Sequence, residues 1–301
     1  MSQKCALILE EKANYEVDFM CRMLGIARST FYEVTARKPS VQGQRRDALT
    51  VSVKKAFNTH KRRYGARRIV RELRREGTPA GLGTVSKIMR AERLITVQPK
   101  AWKQTTVQAP EATVRKDKLK RVFQTRTPGV RFVGDITYLR TGEGWLYLST
   151  VIDLCSRMVV GWQLADHMRA DIITDALDMA EGGGFLNQGH PLGVVFHSDR
   201  GSQYTSKDVQ TWATKRKVTL SCGATGVCWD NVVAESFFAT LKNEMYYQHR
   251  FATRAAARTA VVEYIETYYN RKRLHSTLGY ITPIEAHRAA HQTQASELLA
   301  A

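Results

Sequence analysis

RFVGDITYLRTGEGWLYLSTVIDLCSRMVVGWQL, residues 131–164, reads as three β-strands in succession. RFVGDITYLR alternates apolar and polar positions, TGEG is a turn, and WLYLSTVID and MVVGWQL follow after short connections. Downstream the periodicity changes. Residues 170–180 place Ile172, Ile173, Ala176, Leu177 and Ala180 on one helical side, and Gly182-Gly183-Gly184 ends that run. VVFHSD is a short buried strand, residues 206–216 a helix, VTLSC another strand, and residues 230–247 and 254–271 two long helices. Three antiparallel strands followed by alternating helices and strands define an α/β domain with a mixed sheet, set at residues 131–288, with a tail at 289–301.

Three carboxylates in this domain stand out. Asp135 lies within the first strand in an otherwise apolar and neutral run, where an acid is costly unless paired. Asp199 ends the apolar run VVFHS, at the carboxyl end of a strand, where α/β proteins gather their ligand sites. Glu235 lies on an amphipathic helix, and Lys242, two turns further on the same face, is placed to meet DNA. Hard oxygen donors converging from separate elements suit a pair of divalent cations and phosphoryl transfer. Asp153, Asp166 and Asp230 fall in turns or at helix starts, Asp230 reading as an N-cap. His197 and His275 suit local hydrogen bonds, with a DNA contact the alternative for His275, and Tyr268 and Tyr269 suit core packing. Glu244, near the end of its helix, reads as a solvated carboxylate.

Upstream the chain is basic. Of its 46 Lys and Arg, 29 lie in residues 1–130 against 11 acids, whereas residues 131–301 are balanced, so the whole +18 belongs to the first part. An excess so segregated points to a polyanion partner. Within 59–98, Ala66, Ile69, Val70 and Leu73 form one apolar stripe, with Arg67, Arg68, Arg71, Arg74 and Arg75 on the other faces. Gly77, Pro79 and Gly81 turn the chain into a second helix carrying Lys87 and Arg90, a helix-turn-helix pattern for DNA. Region 1–58 is helical and holds a weaker motif of the same kind. Val17, Met20, Cys21 and Leu24 precede Gly25, and Thr30 with Glu33 fits a capping box. Residues 99–130 form a basic linker with a short helix through KDKLKRVF. No apolar run is long enough for a secretory leader or a membrane span, and five cysteines without a CxxC pair imply free thiols. The expected place is the cytoplasm, at the nucleoid.

FVGDITYL, VIDLCSR, HSDRGSQY, DNVVAESFFATLKNE and YNRKRLHSTLGYITPIEA together, in that order, resemble the DDE transposases of bacterial insertion sequences, whose core is similar to retroviral integrase. The resemblance runs from about residue 59 to 288 and includes the 35 residues between Asp199 and Glu235 and the basic Lys242. It implies a ribonuclease-H-like core preceded by all-α DNA-binding modules, with Asp135, Asp199 and Glu235 catalytic and holding two Mg²⁺, for which Mn²⁺ would substitute. It also implies strand cleavage and strand transfer on double-stranded DNA at mobile-element ends, by a homo-oligomer. The chain departs from the family pattern at Phe132, often Trp, and at Gly134, often Thr. A retroviral-type zinc-binding His/Cys cluster is absent. So is the zipper segment of the upstream frame with which such transposases are fused, which makes that frame's product a further partner. Two other classes share part of the pattern. A DNA-binding regulator would need only a degenerate core, and a structure-specific nuclease or ribonuclease H would need no paired ends.

Overall fold

The computed structural model describes residues 2–36, 40–97, 125–222 and 231–300, which form two compact units divided between Ile95 and Thr96. The helix expected in KDKLKRVF, the Asp230 cap and Cys228 lie outside the described residues.

The first unit is helical. α1 (Ser2–Glu11), α2 (Val17–Met23) and α3 (Arg28–Ala36) close around Cys5, Ile8, Met20, Cys21 and Phe31. Gly25, at φ +61°, makes the left-handed turn between α2 and α3 that a side chain would resist. α3 starts at Arg28, so Thr30 and Glu33 lie within it and the expected capping box does not form. α4 (Val41–Thr59) is capped by Ser40, whose hydroxyl accepts from the Gly43 N–H at 3.0 Å. It packs on α5 (Ala66–Arg75) and α6 (Leu82–Ala91), burying Val53, Phe57, Ile69, Leu73, Val85 and Ile88. A boundary at residue 58 therefore falls on the last turn of α4, whose apolar side belongs with α5 and α6.

The second unit carries a five-stranded sheet in the order β3-β2-β1-β4-β5. β1 (Arg131–Thr141), β2 (Gly144–Asp153) and β3 (Val159–Ala165) form an antiparallel meander, and β4 (Val194–Ser198) and β5 (Val218–Cys222) add in parallel on the far side of β1. The crossovers are α7 (Asp171–Gly182) and α8 (Lys207–Lys215). Phe132, Val151, Val160 and Phe196 share one core cluster with Ile172, Ile173 and Leu177 of α7 and Val209 and Trp212 of α8. Val133, Leu148 and Ile152, which alternate with these along the strands, are buried as well. α9 (Val232–Glu244) packs on β1, and α10 (Arg254–Glu263) on β2. This is the ribonuclease-H-like α/β core expected. Two details were not expected. The helix begun by α10 widens to a π-helix over Tyr264–Tyr269, and α11 (Pro283–Ala300) runs through residue 288, so 289–300 continues a helix rather than forming a tail. Among the described residues no helix is long and apolar enough to cross a membrane.

Candidate active site

The strand register brings the first two acids together. β1 and β4 are parallel neighbours with Val133 opposite His197. Two residues further along each chain, Asp135 and Asp199 come level, on adjacent strands spaced about 4.8 Å apart, and on the same face because side chains alternate with period two. Asp199 follows the last residue of β4 and accepts the Gly201 N–H at 3.0 Å, which fixes its carboxylate. Gly134 is explained by its neighbour. A Cβ there would sit 2.3 Å from the Phe196 ring, so the Thr common at this position has no room against Phe196.

The third acid is placed by a residue that the sequence reading passed over. Asn231, the N-cap of α9, makes no side-chain cap bond; its Nδ2 instead donates to the Gly134 carbonyl at 3.0 Å. Its own carbonyl accepts the Glu235 N–H at 3.1 Å. Two hydrogen bonds thus join the residue beside Asp135 to the first turn of α9, where Glu235 lies. Asn231 is buried, and its Oδ1 has no partner among the described residues. The signal available in the sequence was the Asn-Val-Val-Ala-Glu spacing of one helical turn.

Electrostatics tie the set together. Burial, the charge of Asp199 and, more weakly, that of Glu235 push the Asp135 carboxyl up to about 8, against the Ile136 N–H bond and the Lys242 charge that pull it down. Desolvation raises Asp199 and Glu235 too, although both are exposed by area. The site therefore holds one half-buried acid and two exposed ones. Lys242 is half-buried, lowered by desolvation and held up by Asp135, so its ammonium belongs to the acid cluster rather than to an outer surface. Among the described residues no three His, Cys, Asp or Glu side chains close to metal-ligating geometry. The donors themselves are hard carboxylate oxygens, close enough for Asp199 and Glu235 to raise the proton affinity of Asp135, and that chemistry fits a divalent cation. Tyr204 lies close by, its hydroxyl raised well above the usual range by burial and by the Asp135 and Asp199 charges.

The remaining candidates separate clearly. Glu244 is not solvated. It forms a two-pronged pair with Arg273, 2.7 Å at its shortest, with side chains only 12% and 6% exposed, and it accepts the Tyr264 hydroxyl at 2.8 Å. Asp153 is fully buried at the end of β2 and accepts from Gly129 N, Ser156 N and Ser156 Oγ. His197 meets Ser221 at 2.9 Å and His275 meets Thr277 at 2.8 Å, while Tyr268 and Tyr269 are core residues. Cys5, Cys21, Cys155 and Cys222 are free thiols. In the helical unit Arg67, Arg71, Arg74, Arg75, Lys87 and Arg90 are exposed, and Arg68 is half-buried with its guanidinium 5.6 Å from the Tyr64 ring centre.

A mixed sheet in this order, preceded along the chain by a basic helical unit, is the architecture of the integrase class. The family models agree: an integrase core domain matches residues 125–228, a second integrase core model matches 216–283, and an HTH-like domain matches 44–102. The chain is 38% identical over 282 residues to the transposase InsF for insertion sequence IS3A of Escherichia coli strain K12, covering 93% of this chain and 96% of that one. It is 34% identical to the insertion element IS600 uncharacterized 31 kDa protein of Shigella sonnei, over 92% of this chain and 100% of that one. Among solved structures, a simian T-cell lymphotropic virus intasome aligns with a TM-score of 0.43 at 16% identity, covering 78% of this chain and 74% of that one. The catalytic core domain of BIV integrase aligns at 0.40 and 18%, covering 55% of this chain and 98% of that one. The chain belongs to the family of IS3-type insertion-sequence transposases with an integrase core.

Proposed function

We propose that this transposase cleaves DNA strands at the ends of a mobile element and transfers them to target DNA, through Asp135, Asp199 and Glu235 acting on two Mg²⁺ ions. The observation that supports it most is the convergence of the three acids from a strand, a strand end and a helix start, through the β1–β4 register and the Asn231 bond to Gly134. Bound divalent cations would supply Lewis-acid stabilisation of the phosphate charge and lower the pKa of an attacking water or 3′-hydroxyl. Asp135, whose carboxyl feels the charge of both other acids, would hold the ions together with Asp199 and Glu235. Lys242 offsets part of the carboxylate charge and stands where a phosphate would approach. Cleavage and transfer use the same carboxylates with different nucleophiles, and no covalent link to the protein is needed.

The exposed Arg67, Arg71, Arg74, Arg75, Lys87 and Arg90, together with Arg68, hold double-stranded DNA, phosphate contacts setting position and affinity. A second copy of the chain and the product of an upstream frame are the protein partners, and the cytoplasmic nucleoid is the place of action. Metal dependence tests the reading. Cleavage of a duplex carrying an element end is expected with Mg²⁺ or Mn²⁺. Ca²⁺ should support binding without turnover, because its larger and looser coordination misplaces the nucleophile. Cleavage that persists in excess chelator rules the site out.

A further inference from the structure

Beyond Asp135, strand β1 continues for six residues and pairs with β2 in a hairpin with one aromatic face. Tyr138 lies directly opposite Tyr147, and Arg140 opposite Trp145, so all four side chains share that face. Tyr138 is 50% exposed and Trp145 49%, with ring centres 6.2 Å apart edge to face; Tyr138 and Tyr147 are 5.5 Å apart. Arg140 is exposed, and its guanidinium makes no hydrogen bond or ion pair among the described residues. No acid projects from this face between Ile136 and Ser149. The one nearby, Glu143 of the turn, accepts the Arg254 N–H at 2.8 Å.

The hairpin does not need these rings to hold its shape. Tyr246 donates to the Arg140 carbonyl at 3.0 Å, Gly142 N–H to the Phe251 carbonyl at 2.9 Å, and Arg254 Nε to the Trp145 carbonyl at 3.0 Å. Its backbone is pinned from the segment after α9, and two large rings are nevertheless left half in water. Rigid exposed rings beside an uncommitted guanidinium form the usual platform for an unpaired base and its phosphate.

We propose that Tyr138 and Trp145, with Arg140, form a stacking shelf for an unpaired nucleotide of the DNA strand that enters the carboxylate site. Period-two alternation puts Tyr138 on the face opposite Asp135, so the stacked base lies some nucleotides along the strand from the scissile phosphate, not at it. The inference rests on the DNA-cleaving reading above, and it adds a site for bases that have left the duplex, distinct from the helical modules that hold the duplex itself. The strand that carries Asp135 also carries the shelf.

The test uses the full chain in Ca²⁺ and compares a blunt duplex, the same duplex with a short unpaired tail, and a tail of abasic nucleotides. Quenching of Trp145 fluorescence, taken as the difference between the unaltered chain and Trp145→Phe, is expected with the base-bearing tail only. Tyr138→Ala and Trp145→Ala should weaken tail binding by at least about five-fold, Tyr138→Phe should restore it, and Arg140→Ala should weaken the base-bearing and abasic tails alike. Blunt-duplex affinity should not move. Equal affinity for base-bearing and abasic tails, or unchanged tail binding in both alanine variants, overturns the shelf. So does a change in sedimentation of Trp145→Ala with unaltered tail affinity, which would make the face an interface between copies. Cleavage of the blunt duplex, measured in Mg²⁺ on the same variants, reports separately on the parent reading.

Discussion

Asp135 shows how far one residue can be read from sequence. A carboxylate in an apolar, neutral run marked it as a site, but its proton affinity follows first from burial and then from partners far along the chain, Asp199 and, more weakly, Glu235. The sign of its pH dependence is definite. A carboxyl at about 8 in the folded chain, against 3.8 when unfolded, binds more protons folded than unfolded between those values. Stability of the metal-free protein is therefore lost as pH rises from about 4 through about 8. A melting temperature that falls across this window in chelator, and a shallower fall in Asp135→Asn or in added Mg²⁺, is expected from thermal melts. A slope identical in Asp135→Asn would show that burial and the neighbouring acids do not raise the Asp135 carboxyl. Gly134 gives a steric counterpart. Gly134→Thr restores the family's usual residue but places a Cβ on the Phe196 ring, so it should destabilise by about 1–3 kcal/mol in denaturant titrations. Gly134→Thr combined with Phe196→Leu should recover part of the loss.

Elements were legible where period and burial agree. The three-strand meander, α7, β4, α8 and β5 follow from alternation and from one-sided helices, because each has a face sunk in a common core. The misses have physical causes. The π-helix at Tyr264–Tyr269 carries the same aromatic spacing as an α-helix, and its widening is set by partners far in sequence. Glu266 there accepts Trp162 Nε1 at 2.6 Å, and Asn270 brackets Val159 with hydrogen bonds to its N–H and its carbonyl. Glu244 was misread because position near a helix end suggests solvent, and only the tertiary fold brings Arg273 to it. Removing one partner of a buried pair leaves the other charge uncompensated, so Glu244→Gln should cost about 3–5 kcal/mol. A melting temperature unchanged by Glu244→Gln would mean that the pair is formed but worth little.

At the scale of the whole chain, charge separates two kinds of helical module that sequence patterns alone treat alike. Residues 1–36 hold four basic and five acidic side chains, whereas residues 40–97 hold 15 and four. Within the helical unit the positive charge therefore belongs to α4–α6, and α1–α3 contributes none of it. Deleting residues 1–36 should leave duplex affinity and its salt slope nearly intact. Replacing Arg67, Arg71, Arg74 and Arg75 with Ala should weaken binding and reduce the slope in log-log salt titrations, since each phosphate no longer neutralised takes about 0.9 from it. A slope unchanged by those four replacements would place the duplex elsewhere.

The central claim is that the three acids form one metal-dependent site separate from DNA capture. The most direct measurement takes the full chain and Glu235→Gln side by side, with duplex binding and Mg²⁺-supported strand cleavage read on the same element-end DNA. Cleavage is expected to fall by at least roughly 10²-fold, beyond the loss typical of residues that only orient a metal ligand, while duplex affinity stays unchanged. Full cleavage by Glu235→Gln, or equal loss of binding and cleavage, would contradict it.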